Sequence, residues 1–435
     1  MSSLQELKSC VGSQWQAGTG EAIVSICPYD DSVVANGKAA SQSQVDAAFV
    51  AARSATVDWA RIGCDHRIAV VKKYAELVRE HAEELADLIS RETGKPRWET
   101  LTEAGAVASK VDISIEAFRD RRDTRSFQMG GSKAVTRFKP HGVCGVLGPF
   151  NFPAHLPNGH IVPALICGNT VVFKPSEITP ATGQWMMQKW IEAGVPDGVL
   201  NLVHGGREVG QAIAGHGDLD GLFFTGSSNA GVALSKTLAP APQKILALEM
   251  GGNNPLIVHE TSDVEAAAYL TVLSAYMTSG QRCSCARRLI VVDGSEANRF
   301  LEQLVESISN IRVGFASDSP EPFMGTVIHG TMGRQLIDAQ TKLIASGGES
   351  IVAMKSLREC DALVSPGLID VTKIKDREDE ELFGPLLNVI RVKDFDAAIE
   401  EANRTKYGLA AGLLSDSELH YQQFIASIRA GVVNW

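Results

Sequence analysis

One string of the sequence contains a residue that could act as a covalent catalyst. The string SGQRCSCARR, residues 279–288, places Cys283 between a predicted helix and a predicted strand, where a side chain can face a crevice. A thiol becomes a strong nucleophile once it is deprotonated, and a nearby positive charge favours the thiolate. A single cysteine considered alone is more often an inert core thiol. Both interpretations of Cys283 stay open on this string alone.

A second string, LEMGGNNP at residues 248–255, contains a candidate acid–base group. Glu249 follows an apolar run that predicts a strand, and an unpaired carboxylate is costly in such a place. A buried carboxyl group with a raised pKa is what a general base for water requires. The alternative is a glutamate that caps the following loop.

Length and charge limit what the whole chain can be. Its 435 residues predict two or three domains at about 150 residues per domain. The 51 acidic and 41 basic residues give a net charge of −10, which argues against nucleic acid or an anionic membrane as a partner. The arginines between Arg119 and Arg125 alternate with aspartates and predict a solvated face.

Cysteine usage and the absence of several motifs restrict the site further. The eight cysteines are scattered along the chain, which favours reduced thiols and a cytoplasmic location. The start resembles no signal peptide, and no apolar run has the length of a membrane span. Spacings typical of metal ligands are missing, so no metal is expected. The Gly-x-Gly-x-x-Gly fingerprint is also missing, so a dinucleotide would need another loop geometry.

The pattern of apolar residues predicts helices first and then alternating strands and helices. The first 120 residues are mostly helical in pattern, with a regular helical spacing over 67–92, and 119–139 predicts a connecting arm or hairpin. Strands are predicted at 142–148, 170–174, 200–203, 221–224 and 245–248, with helices at 158–168, 179–194, 207–215 and 227–239. A second α/β region begins near Pro255, with strands at 288–293, 386–392 and 409–414 and helices at 263–279, 295–309, 331–346 and 394–403. This alternation predicts parallel sheets that bind ligands at the carboxyl ends of their strands.

Six strings, in the same order, resemble motifs of the NAD(P)-dependent aldehyde dehydrogenase superfamily over essentially the whole chain. They are PFNFP (149–153), KPSE (174–177), FTGS (224–227), EMGGNNP (249–255), GQRCSCARR (280–288) and ELFGP (381–385). Three positions depart from the family pattern: Phe150 replaces Trp, Met250 replaces Leu and Asn253 replaces Lys. The resemblance implies an α/β fold with a parallel-sheet dinucleotide-binding domain, a second α/β catalytic domain and a bridging arm.

The same resemblance assigns the catalytic roles. It implies that Cys283 is the nucleophile, that Glu249 is the base that activates water, and that Asn151 donates to the oxyanion. The chemistry would pass through a cysteine thiohemiacetal and a thioester. A CoA-acylating variant is disfavoured because Glu249 is present, and a catalytically silent relative is disfavoured because all three residues are intact.

NAD is the cofactor that the resemblance implies. Lys174 and Glu177 would hold the adenosine ribose, and Glu177 would repel the 2′-phosphate of NADP. Lys174 could instead be an ordinary surface lysine, and Ser227 could be a plain helix cap. The implied cofactor-binding residues are Lys174, Glu177, Gly226, Ser227, Gly231, Glu381 and Phe383.

Within the superfamily, the strings around residues 148–165 and 280–289 are similar to enzymes that oxidise N-succinylglutamate 5-semialdehyde in arginine catabolism. A polar channel would suit a substrate rich in carboxylates, and Arg282 could pair with one of them, although a structural ion pair is equally compatible. Glutamate and aminoadipate semialdehydes remain alternative substrates. The predicted substrate-binding residues are His155, Gly159, Arg282 and Ser284.

These observations predict a division of the chain. An NAD-binding domain is expected over 1–117 and 141–252, a bridging or oligomerisation arm over 118–140, and a catalytic domain over 253–435. Family members continue for several tens of residues after the position of Trp435, so we expect a C-terminally shortened chain. The resemblance implies a homodimer or tetramer, which the shortened C-terminus puts in doubt.

Overall fold

A computed structural model describes residues 5–122 and 124–435, which form two compact units. The first unit contains the chain up to Thr93 together with Arg97–Glu249, and the second contains Gly94–Pro96 and Met250–Trp435. Residues 1–4 and 123, which the predicted first domain and arm include, lie outside the described residues. No helix in the described ranges is both long and apolar enough to cross a membrane.

The first unit combines a large sheet, two small sheets and a set of helices. Its strands are β1 (Gln5–Leu7), β2 (Ser9–Val11), β3 (Gln14–Gln16), β4 (Ala22–Ile26), β5 (Val33–Lys38), β6 (Arg125–Met129), β7 (Ser132–Thr136), β8 (Val143–Leu147), β9 (Thr170–Lys174), β10 (Leu200–Leu202), β11 (Gly221–Gly226) and β12 (Ile245–Met250). Its helices are α1 (Gln42–Arg61), α2 (Cys64–Glu80), α3 (Ala82–Thr93), α4 (Arg97–Arg121), α5 (His155–Ile166), α6 (Pro180–Glu192), α7 (Arg207–Gly215) and α8 (Ser228–Leu238).

The large sheet of the first unit aligns the carboxyl ends of the strands, where the sequence predicts ligand binding. Its strand order is β12-β11-β8-β9-β10-β2-β3. β8 and β9 are parallel and wholly buried, as expected of apolar runs covered on both faces. The register pairs Leu147 with Lys174 and Phe224 with Leu147, so three strands end at one level. The loops PFNFP, KPSE and TGSS therefore begin at the same edge of this sheet.

The second unit is built on a second, mostly parallel sheet. Its strands are β13 (Asn254–Val258), β14 (Ala286–Val292), β15 (Glu349–Val352), β16 (Ser356–Leu357), β17 (Cys360–Val364), β18 (Gly367–Asp370), β19 (Leu386–Val392), β20 (Ala410–Leu414) and β21 (Val432–Asn434), and its helices are α9 (Val264–Tyr276), α10 (Ser295–Ser309), α11 (Gly330–Ala345), α12 (Phe395–Asn403) and α13 (Glu418–Ser427). The order β15-β18-β19-β14-β13-β20-β21 places the long buried strand β14 at the centre. β14 begins three residues after Cys283, so this central strand holds one end of the cysteine loop.

Some local expectations are wrong. The mostly helical pattern predicted from the start fails over 5–38, where five short strands form, because strands of three to six residues are too short to give a clear period. The helical segment over 67–92 breaks at His81, which has φ −110° and ψ 26°. The predicted arm at 118–140 begins inside α4, and only β6 and β7 form the hairpin.

Candidate active site

The loop before Cys283 has an unusual backbone. A 3₁₀ turn over Met277–Gly280 ends α9, and within it Thr278, Ser279 and Gly280 have φ of 57°, 51° and 67°. Left-handed backbone is uncommon for residues other than glycine and persists where surrounding contacts enforce it. A Cβ at Gly280 would overlap the backbone carbonyl of Gly384. The sequence GQRC therefore needs glycine at this position both for its φ and for close backbone contact.

Asn254, which the sequence analysis did not select, fixes the carbonyl groups of the cysteine loop. Its buried Nδ2 donates to the carbonyl oxygens of Cys283 at 2.7 Å and Cys285 at 3.0 Å, while its Oδ1 accepts from the N–H of Ala410 at 3.1 Å. The side chain thus joins β13, β20 and the cysteine loop. Cys283 itself is half-buried and reduced.

Arg287 connects the cysteine loop to the ELFGP segment within the second unit. Its buried guanidinium donates to the carbonyl oxygens of Arg282 at 3.0 Å and Gly384 at 3.2 Å, and it lies 5.4 Å from the ring centroid of Phe383. This role of Arg287 could not be predicted from the sequence, because an arginine in an apolar strand carries no signal of its partners. The structure thereby brings Arg282, Cys283 and Phe383 into one connected network.

Glu381 belongs to the same network. Its Oε1 accepts from the N–H of Gly252 at 3.2 Å, and a Cβ at Gly251 would overlap its carboxylate. Burial raises the pKa of Glu381 above its ordinary value, although Arg287 and the Gly252 hydrogen bond act in the opposite direction. The glycine pair of EMGGNNP therefore allows a carboxylate to approach the backbone closely.

Arg288, the last residue of the GQRCSCARR string, supports the scaffold. Its guanidinium donates to the carbonyl oxygens of Asn253 at 2.9 Å and of Glu401 and Ala402 at 2.8 Å. The last two carbonyls belong to the C-terminal turn of α12, where backbone oxygens lack helical partners. Burial lowers the pKa of Arg288 below its ordinary value.

In the first unit, Asn151 is buried in the loop that follows β8. The next helix, α5, begins at His155, and its free N–H groups are capped from outside. Glu103 of α4 accepts from the N–H groups of Ala154 at 3.1 Å and His155 at 3.2 Å. A carboxylate at a helix N-terminus also interacts favourably with the helix dipole. Glu103 therefore holds the PFNFP loop from the neighbouring helix, a role that sequence spacing does not reveal.

Lys174 is buried, contrary to the alternative of an ordinary surface lysine. Its Nζ donates to the carbonyl oxygens of Pro175 at 2.9 Å and Gly205 at 2.8 Å and lies 3.4 Å from Oε2 of half-exposed Glu177. Burial lowers the pKa of Lys174, and Glu177 opposes that shift. Burial and the nearby charge of Lys174 lower the pKa of His204 to about 3, although a hydrogen bond with the Lys8 backbone opposes that shift.

The FTGS string ends at the start of a helix. Gly226 closes β11, and the Ser227 side chain accepts from the N–H of Ala230 at 3.3 Å, so Ser227 caps α8. Gly231 is buried within the second turn of that helix. The cap interpretation is therefore confirmed, and it is compatible with anion binding because helix N-termini present N–H groups to solvent or ligand.

Glu249 differs from the buried base that the sequence favoured. The residue is exposed near the end of β12, the edge strand of the first sheet, whose other residues are only half-buried. An edge strand is covered on fewer sides than a central one, so its last residues are open to solvent. The buried position that the base interpretation expected for this carboxyl group is therefore wrong.

The predicted substrate-binding residues lie in both units. In the first unit, Gly159 lies in α5 opposite Lys110, and the ring of His155 lies edge-on to Phe152 with centroids 6.3 Å apart. In the second unit, Nε of Arg282 donates to Oγ1 of Thr278 at 2.7 Å. Exposed Ser284 lines a cavity of about 280 Å³.

The first unit has parallel strands that end in glycine-rich and charged loops, and the second unit has a cysteine on a left-handed loop. Both features are typical of nucleotide-dependent α/β enzymes. The chain belongs to the aldehyde dehydrogenase family, whose model matches residues 15–435. Enzymes of this family oxidise aldehydes with NAD(P), and this chain is an oxidoreductase of that kind.

Similar proteins include named enzymes and a solved structure. The N-succinylglutamate 5-semialdehyde dehydrogenases of Pseudomonas fluorescens and Ectopseudomonas mendocina are 51% and 52% identical over 98% of this chain and 87% of their own length. The solved NAD-dependent benzaldehyde dehydrogenase of Corynebacterium glutamicum is 33% identical with a TM-score of 0.90, over 98% of this chain and 93% of its own. The fold class expected from the sequence is confirmed.

Proposed function

We propose that the protein oxidises N-succinyl-L-glutamate 5-semialdehyde to N-succinyl-L-glutamate with NAD, as a step of arginine catabolism. The observation that supports this substrate is an identity of 51–52% over 98% of the chain to enzymes of that name. The cysteine loop gives the reaction a nucleophile on a rigid support, because Asn254 and Arg287 hold its carbonyl groups.

Catalysis begins with Cys283 in this proposal. Its thiolate attacks the aldehyde carbon and forms a thiohemiacetal, whose oxyanion accepts hydrogen bonds from the Asn151 amide and the Cys283 N–H. Removal of one such donor typically lowers kcat by about 10²–10³-fold, and we expect a loss of that size for Asn151→Ala. Departure of a hydride from the thiohemiacetal carbon leaves a thioester on Cys283.

Glu249 completes the cycle. Its carboxylate takes a proton from water, the resulting hydroxide attacks the thioester carbonyl, and the bond to Cys283 sulfur breaks to release the acid. Exposure of Glu249 at the end of β12 gives this base access to water. A general base typically contributes about 10²–10⁴-fold to the rate.

The residues present fit a dinucleotide. Lys174 and Glu177 would hold the adenosine ribose, while Gly226, Ser227 and Gly231 form a helix start suited to a pyrophosphate. In the second unit, Glu381 and Phe383 would bind the nicotinamide riboside end. The dinucleotide supplies the acceptor for the hydride.

Preference for NAD over NADP is tested at Glu177. Its carboxylate would repel a 2′-phosphate, so Glu177→Ala should raise the ratio of kcat/KM for NADP to that for NAD by about tenfold. Glu192→Ala is a matched control, because Glu192 pairs with Lys189 at the same spacing and with similar exposure. An unchanged ratio in the Glu177 variant would contradict the assigned role.

We propose that four residues recognise the succinylated substrate. We assign the carboxylate contact to Arg282, whose side chain is fixed by Thr278, and we place His155, Gly159 and Ser284 along the channel. In this proposal an NAD-binding domain spans 1–117 and 141–252, a bridging or oligomerisation arm spans 118–140, and a catalytic domain over 253–435 provides the nucleophile. We propose a homo-oligomer in the cytoplasm, and the eight reduced cysteines agree with a reducing compartment.

The substrate is tested by steady-state NADH formation. N-Succinylglutamate semialdehyde should give a higher kcat/KM than glutamate, succinate or aminoadipate semialdehyde. Cys283→Ala should abolish turnover, whereas Cys360→Ala, at another half-buried reduced cysteine, should retain it. Better turnover of a different semialdehyde would overturn the substrate and keep the chemistry, and no turnover of any aldehyde by the parent chain would overturn the proposed function.

A further inference from the structure

Two histidines and a glutamate in the second unit converge outside the residues assigned to catalysis. His259 and Glu260 follow the end of β13, and His420 lies in the first turn of α13. Nε2 of His259 lies 3.8 Å from Oε1 of Glu260, and Nδ1 of His420 lies 3.2 Å from Oε2 of the same carboxylate. One potential ligand atom from each residue lies within 4.8 Å of the other two. Liganding atoms this close need only small side-chain adjustments to share one ion.

The fold holds these three side chains in place. The ring of Phe395 stacks on His259 with centroids 5.5 Å apart and packs against His420 at 4.3 Å. Backbone hydrogen bonds anchor both segments: the N–H of His259 donates to the Leu414 carbonyl at 3.1 Å, and that of His420 to Oγ of Ser417 at 3.3 Å. Preorganised imidazoles lose little conformational entropy when they bind a ligand.

Two further observations point to a ligand. Nδ1 of His420 is inaccessible to solvent and has no hydrogen-bond partner of acceptable geometry, despite the nearby carboxylate. Glu260 adopts φ of 50°, a left-handed conformation that directs the chain back toward α13 and that is uncommon for glutamate. An unsatisfied buried nitrogen beside a carboxylate on left-handed backbone is unfavourable unless the group has a function.

We propose that His259, Glu260 and His420 bind a divalent transition-metal ion of the Zn²⁺ class. Two imidazole nitrogens and one carboxylate oxygen form a donor set that zinc uses elsewhere, with the remaining positions taken by water. Imidazole and carboxylate ligands also bind Co²⁺ and Ni²⁺, so these ions should occupy the same site with affinities that follow the Irving–Williams order. The ion would tie the end of β13 to the start of α13 and would stabilise this end of the second sheet.

The surrounding charges favour a cation. Glu296 of α10 interacts electrostatically with His259, and Asp416 lies near Glu260, whose carbonyl accepts from the Asp416 N–H at 3.0 Å.

The experiment titrates the full chain with Co²⁺ and then with Zn²⁺. Cys283→Ala serves as the parent so that this thiolate cannot bind the metal. We expect visible d–d bands of Co²⁺ bound by nitrogen and oxygen, without thiolate charge-transfer bands, and displacement of Co²⁺ by Zn²⁺. Calorimetry should give one bound ion per chain, and the melting temperature should rise with Zn²⁺ because the ion binds the folded state.

Three variants of that parent test where the metal ion binds. Glu260→Gln, at an exposed position that should not impair folding, should weaken binding about tenfold, and His420→Gln should weaken it about a hundredfold. His66→Gln, at an exposed histidine elsewhere, should leave binding unchanged. Absence of Co²⁺ binding in the parent, or binding that both Glu260→Gln and His420→Gln leave intact, would overturn the proposal.

Discussion

Replacement of Asn254 by alanine tests whether the cysteine loop depends on its side-chain support. The substitution removes two hydrogen bonds donated to the carbonyls of Cys283 and Cys285 and one accepted from Ala410. A typical hydrogen bond contributes about 1 kcal/mol net, and a buried partner left unpaired costs about 1–3 kcal/mol. Three lost bonds therefore predict a decrease of about 3 kcal/mol or more in the free energy of unfolding.

The loss of stability can be measured as a lower melting temperature, and the displacement of the cysteine loop as a lower reaction rate. For a unit of about 190 residues, each kcal/mol shifts the melting temperature by about 2–4 °C, so we expect a decrease of about 6–12 °C. Loss of the two carbonyl anchors should also displace Cys283, and a displacement of about 1 Å can lower the rate about a hundredfold. The assays are thermal unfolding by circular dichroism and kcat/KM from NADH formation.

Asn403 provides the matched control. Its half-buried side chain also bridges backbone groups through two solvent-exposed hydrogen bonds, donating to the Ser427 carbonyl at 2.9 Å and accepting from the Arg429 N–H at 2.8 Å. Water can replace those partners, so Asn403→Ala should change stability by less than about 1 kcal/mol and leave kcat/KM unchanged. If Asn254→Ala loses no more stability than Asn403→Ala and retains full kcat/KM, the inferred anchoring is refuted.

Two further predictions concern backbone geometry and pH. Gly280→Ala combines strain at φ 67° with overlap on the Gly384 carbonyl, so it should lower thermal stability and activity. Gly347→Ala is the control, because Gly347 has φ 101° and no neighbour within 4 Å, and it should cost only about 1–3 kcal/mol of strain. Equal effects of the two substitutions would show that the overlap is unimportant. Burial, with a smaller effect of Lys110, lowers the pKa of His160 to about 4, so the unfolded chain binds a proton between pH 6.5 and 4 that the folded chain does not. The free energy of unfolding should therefore fall as pH falls through this window, and it should fall less steeply in His160→Gln. An NMR titration midpoint for His160 near 6.5 would contradict the lowered pKa.

The strands around the nucleotide loops could be predicted because their signals are local. β8 and β9 are continuous apolar runs that end at glycine or lysine, and the structure places them at 143–147 and 170–174, close to the predicted ranges. The loop that presents Cys283 was also found from its string. By contrast, β1 to β5 are too short to give a clear period, and the pairing of β2 with the distant β10 is not marked by any local pattern.

The support of the site could not be predicted for a related reason. Asn254 and Arg287 act through hydrogen bonds to carbonyl groups, and a carbonyl is present at every residue, so the sequence does not mark the acceptor. The exposure of Glu249 depends on β12 being an edge strand, which is a property of strand order. Composition and spacing identify reactive side chains more readily than the backbone partners that position them.

The hydrogen bond from Arg287 to the Arg282 carbonyl has a consequence for the neighbouring amide. That oxygen also accepts from the Cys285 N–H at 3.1 Å, so two donors hold it. In a planar trans peptide the C=O and the following N–H point in opposite directions, and the N–H that follows is that of Cys283. Arg287 thereby sets the direction of the Cys283 N–H without touching it. Because hydrogen bonds to a carbonyl polarise the whole peptide unit, the same contact makes this N–H a stronger donor. The positive charge of Arg287 on β14 thus acts, through the rigid peptide plane, on the N–H that would donate to the negative charge developing on the substrate.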